Sequence, residues 1–73
     1  MTRFEAKNIL YMLNQNNIGG AIFYTNETQR VFMNGRWTIR HKCLVILENG
    51  KEISTVLEGL KYAEAQKEKK ASL

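Results

Sequence analysis

The sequence predicts an α+β domain: an antiparallel β-meander of three to four strands with an N-terminal and a C-terminal helix on one face, in the order α-β-β-β-β-α. Three observations predict it. Thr2-Arg3-Phe4-Glu5 and Thr55-Val56-Leu57-Glu58 are both capping boxes, each followed by apolar residues at helical spacing. The stretch between them is rich in β-branched and aromatic residues. Two Asn-Gly pairs, Asn34-Gly35 and Asn49-Gly50, punctuate that stretch, and Asn-Gly is the strongest short hairpin signal.

The first helix is expected over 2–16. In a capping box the Thr side chain accepts from the backbone N–H three residues on, and the Glu side chain reaches back to the cap N–H. Ala6, Ile9, Leu10 and Leu13 then form one stripe, with Phe4, Tyr11 and Met12 at its flanks. Asn14 to Asn17 weaken the helix, and Gly19-Gly20 is expected to stop it.

A short strand is expected at 21–25 and a polar turn at 26–29. A meander follows over 29–33, 36–48 and 51–55. Two-residue type I′ turns would set Phe32 opposite Trp37 and Val31 opposite Thr38 at the first turn. At the second they would set Ile46 opposite Ile53 and Leu44 opposite Thr55.

The second helix starts at Thr55 and carries Val56, Leu57, Leu60 and Ala63, with Tyr62 at the margin. Gly59 costs it about 1 kcal/mol relative to Ala. Its surface alternates Glu58, Lys61, Glu64 and Lys67, a solvated face. The compact domain is expected over 1–66, with 67–73 a frayed Lys-rich tail.

At 73 residues the chain is one domain, with a stability margin on the order of 3–5 kcal/mol. Cys43 is alone, so no disulfide staples it. His41 and Cys43 are too few for a structural zinc site. Good packing or self-association must serve instead. The N-terminus lacks a secretory pattern, since Arg3, Glu5 and Lys7 interrupt it. No apolar run approaches the ~20 residues of a membrane span. A lone thiol fits the reducing cytoplasm, and Asn26-Glu27-Thr28 is read as a chance acceptor pattern.

Alternation on 36–48 puts Trp37, Ile39, His41, Cys43, Val45 and Leu47 on one face, read as the core face for most of the strand. Arg36, Thr38, Arg40 and Lys42 occupy the other face, followed by Leu44 and Ile46. Near Leu44 both faces are apolar.

His41 and Cys43 share a face, but same-face neighbours sit nearly 7 Å apart at Cα, beyond direct hydrogen-bond reach without favourable rotamers. No Asp exists to orient the imidazole. Phosphate-loop, dinucleotide, nucleophile-elbow, zincin and CxxC motifs are absent. No enzymatic role, metal or cofactor is expected.

Two binding readings remain. The first is a protein-interaction module or regulator that self-associates through an apolar distal hairpin of Leu44, Ile46 and Ile53. The alternative is nucleic-acid binding by a basic sheet face of Arg36, Arg40 and Lys42, with Arg30 and the Lys-rich tail in support. The charge of +4 favours anionic partners.

The element order is similar to that of the double-stranded RNA-binding domain, a helix, a three-stranded meander and a second helix. That family opens its second helix with a lysine cluster. Here Ser54 to Gly59 holds no cation, and no residue role is carried over.

Overall fold

The computed structural model describes the backbone of residues 1–71 and the side chains of 1–68. Its elements are α1 (Arg3–Gln15), β1 (Gly20–Met33), β2 (Arg36–Leu47), β3 (Glu52–Ile53) and α2 (Val56–Ala71). The sheet is antiparallel in the order β1-β2-β3, which is an α+β architecture.

The N-terminal capping box closes α1. The Glu5 N–H donates to Thr2 Oγ1 at 3.1 Å, and the Thr2 N–H donates to Glu5 Oε1 at 2.9 Å. The helix ends before the glycines. Asn17 takes φ 63°, its N–H reaches the Asn14 carbonyl, and the Ile18 N–H reaches the Leu13 carbonyl, both at 3.0 Å. That is a Schellman stop with Asn in the left-handed position, not the expected glycine stop. At α2 the Glu58 N–H donates to Thr55 Oγ1 at 3.1 Å, while the Glu58 carboxylate accepts from the Ser54 N–H at 3.0 Å. Helical backbone continues to Ala71. The expected frayed tail at 67–73 falls partly here, and residues 72–73 lie outside the described residues.

The two Asn-Gly pairs make different turns. Asn34 and Gly35 have φ 52° and 80°, the two positive values a type I′ turn requires. Phe32 therefore pairs with Trp37 and Val31 with Thr38, as the sequence predicts. At the second pair only Gly50 is left-handed, with φ 89°. The Gly50 N–H closes on the Leu47 carbonyl at 2.8 Å, and the Leu47 N–H on the Lys51 carbonyl at 2.9 Å. Asn49 spends its side chain on the Lys51 N–H at 2.9 Å. The loop is thus three residues, 48–50, a type I turn followed by a left-handed glycine. Register shifts by one: Val45 pairs with Ile53 and Ile46 with Glu52, in place of Ile46 with Ile53 and Leu44 with Thr55. A one-residue slip changes the face of a side chain, and Ile53 enters the core.

The polar stretch at 26–29 is also not a turn between strands. β1 runs through it, with a register shift between Tyr24, which pairs with Cys43, and Thr28, which pairs with His41. Three residues face one across this bulge. Thr25 Oγ1 holds it by donating to the Lys42 carbonyl at 3.1 Å and accepting from the Glu27 N–H at 3.2 Å.

The core consists of Ala6, Ile9 and Leu13 from α1, Cys43, Val45 and Leu47 from β2, Ile53 from β3 and Ala63 from α2. Both helices run away from the bulge, α1 packing over β1 and β2 and α2 packing on α1 and β3. The Cys43 N–H donates to the Met1 carbonyl at 2.7 Å, at the head of α1, and the Glu48 N–H to the Gly19 carbonyl at 3.0 Å, past its end. The Asn49 side-chain amide reaches Tyr62 on α2 at 3.0 Å.

Gly59 sits where the helices touch. A Cβ there would lie 2.8 Å from two carbons of the Ile9 side chain, which is buried and β-branched. The helix-propensity cost of this glycine is offset by the close approach it permits. Gly59→Ala is expected to lower stability by about 1–3 kcal/mol in a denaturant melt, against the gain of about 1 kcal/mol that propensity alone predicts.

Candidate functional site

Beyond the bulge the β1–β2 hairpin continues, among the described residues, without a third strand or a helix over it. The molecule measures 48 × 23 × 15 Å, and the long axis is this hairpin. Its helix-side face carries Phe32, Trp37 and Ile39, which are 59%, 62% and 69% exposed, with Tyr24 at the root. The sequence placed Trp37, Ile39 and His41 in the core. The structure buries only Cys43, Val45 and Leu47 of that face, because the helices begin at the bulge and run away from the arm.

The projecting arm is locally ordered by its own side chains. Phe32 meets Trp37 edge to face, with ring centroids 5.4 Å apart and planes at 63°. The Arg30 guanidinium lies over the Trp37 ring, 5.8 Å from its centroid. Edge-to-face rings and a cation over a ring each contribute on the order of 0.5–1.5 kcal/mol. Register explains the cluster, since Arg30 pairs with Ile39, next to the Phe32–Trp37 pair. At the root, Phe4 on α1 faces Tyr24, Ile39 and His41 across an open groove of about 800 Å3.

The four basic residues singled out in the sequence do not share a face. Arg30 stands on the aromatic side. Arg36, Arg40 and Lys42 alternate with the aromatic positions along β2, and Arg40 also borders the groove at the root of the arm. Lys42 is paired with Glu27 at 3.5 Å. Arg36 and Arg40 flank Thr38, about 13 Å apart along the strand by its ~3.3 Å rise.

The apolar hairpin of Leu44, Ile46 and Ile53 is likewise divided. Ile53 is fully buried beside Val45. Leu44 and Ile46 are half-buried on the opposite, open face, where they pair with Phe23 and Ala21. The register shift at the second turn is the cause.

His41 and Cys43 are separated by environment. Cys43 is buried and its thiol donates to the His41 carbonyl at 3.9 Å, while the His41 side chain is exposed on the arm. No helix among the described residues is long and apolar enough to cross a membrane.

Comparison with family models, curated proteins and solved structures finds no match to this chain.

Sequence reasoning missed the arm. Its signal was present in the length of the apolar alternation, which runs from Trp37 to Leu47, about 33 Å of strand. A helix of 13 residues spans only about 20 Å. Comparing the two lengths would have shown that part of the face must lie bare.

The thiol offers a direct check of which part is covered. Cys43 is expected to resist an aromatic disulfide reagent in the folded protein and to react fully in denaturant. Fast labelling under native conditions would show that the helices do not cover the root of the arm.

Proposed function

We propose that this chain is a non-enzymatic binding protein that works by self-association, and that its working surface is the helix-side face of the β1–β2 arm. One observation carries the reading. Among the described residues none of the fully buried side chains is aromatic, while Phe4, Tyr11, Phe23, Tyr24, Phe32 and Trp37 are all exposed. Aromatic side chains dominate the energetics of cores and interfaces alike. A small domain with a thin margin that leaves its largest apolar groups outside stands to gain most of their burial from a partner.

The arm itself supports the same reading. An isolated two-stranded hairpin is marginal in water and needs a third strand or a packed layer for stability. Tryptophan and arginine on such a surface are the residue types that anchor interfaces. The lone thiol supports the cytoplasm as the location.

The split of the cations favours this reading over nucleic-acid binding. Arg36 alternates away from Trp37 along β2 and Lys42 is paired with Glu27, so of the four cations only Arg30 and Arg40 border the rings, and they form no continuous phosphate-gripping track.

Light scattering over a concentration series tests the proposal. The wild-type chain is expected to dimerise, with Trp37 emission shifting to the blue as the ring leaves water. Trp37→Glu is expected to weaken association by about 30-fold or more, the scale of a hot-spot residue. A chain that stays monomeric to millimolar concentration contradicts the proposal.

A further inference from the structure

The helix layer also has a second apolar face. On α1 the buried residues are Ala6, Ile9 and Leu13, while Tyr11, 66% exposed, stands on the opposite side, and Phe4, 74% exposed and seven residues before it, also borders the groove at the root of the arm. On α2, Leu57 is 61% exposed and Leu60 46%, one turn apart, while Ala63 packs inward. The helices therefore carry apolar side chains toward their own sheet and away from it.

We infer that a second copy of this chain covers both bare surfaces at once, the arm of each copy lying across the outer face of the other copy's helices. This rests on the self-association proposed above and names its seat. The result is a two-fold pair of three layers: the sheet of one copy, a shared middle layer of helices, and the sheet of the other.

Three features of the molecule fit. The first is shape. The body is a sheet and a helix layer, whereas the arm is a sheet alone, so each protomer is a step. Two steps related by a two-fold axis interlock, and each body fills the space under the other's arm. The second is length. The arm from the Thr28–His41 pair to the Asn34-Gly35 turn spans about 20 Å, and α1 with 13 residues spans the same.

The third is area. Tyr24, Phe32, Trp37 and Ile39 on the arm, with Phe4, Tyr11, Leu57 and Leu60 on the helices, each leave on the order of 100–150 Å2 in water. Covering them in both copies buries on the order of 2,000 Å2, at the upper end of a standard stable interface.

Such an isologous contact makes an unusual prediction about mixtures. Trp37→Glu spoils the arm and leaves the helix face intact. Tyr11→Glu does the reverse. Either variant alone loses both contacts of its dimer, whereas a mixed pair keeps one good arm on one good helix face. The experiment is light scattering of wild type, of each variant and of the equimolar mixture, with far-ultraviolet circular dichroism to establish that both variants are folded. Ile39→Glu with Leu57→Glu repeats the test at second positions on each surface.

The expected result is a wild-type dimer, monomeric single variants, and a heterodimer in the mixture at concentrations where neither variant pairs alone. If Tyr11→Glu dimerises like wild type while Trp37→Glu does not, the arms pair elsewhere, and the inference falls while arm-mediated association stands. If the mixture remains monomeric, the arm and helix faces do not meet and the inference also falls. A monomeric wild type removes both.

Discussion

A strand gains about 3.3 Å per residue and a helix about 1.5 Å, and everything distinctive about this chain follows from that difference. Its first strand has 14 residues and its first helix 13, so the helix covers less than half of the hairpin it packs on. The covered half becomes the core: small aliphatic residues and one thiol, held by two alanines and by the close approach of α2 to α1 at Gly59. The uncovered half keeps the same alternation and so presents the same kind of face, with larger side chains that no helix among the described residues covers. The bulge at 25–27 marks the boundary. It increases local twist and interrupts the free edge of β1, which otherwise would offer a long pairing template.

Much of the fold was legible in the residues. Both helices, the capping residues, the long second strand and the register at Asn34-Gly35 follow from local chemistry, since each depends on groups within a few residues of one another. Asn49-Gly50 was misread for a local reason as well. The same dipeptide serves a two-residue turn with both φ values positive and a three-residue turn with only the glycine positive, and the choice falls to the side-chain amide of Asn49, which bonds the Lys51 N–H. One residue of loop moved Ile53 from the open face to the core. The Asn17 stop was missed because asparagine adopts the left-handed conformation less freely than the glycines that follow, yet Asn17 takes it, with the Ile18 N–H closing on the Leu13 carbonyl.

The exposed face of the arm was less legible, and the reason is not local. Period-two alternation states which side chains share a face and says nothing of what covers that face. Trp37, Ile39 and His41 have the pattern of core residues, and only the reach of the helices decides that they are not. The basic residues illustrate the same limit from the other side. Arg30 falls among aromatic neighbours because β1 pairs with β2 in the register set by the tip turn, placing it beside Trp37 rather than with Arg36 and Arg40. Length comparison and register, rather than residue type, locate the surface.

The central claim is that the arm depends on a layer its own chain does not supply. Amide hydrogen exchange measured at several protein concentrations tests this most directly. Protection of the arm amides, from Thr28 to His41, should rise with concentration, while that of Cys43, Val45 and Leu47 in the covered half stays nearly constant. Arm amides as protected in dilute monomer as the core strand would contradict the account, because the hairpin would then be stable with no partner over it.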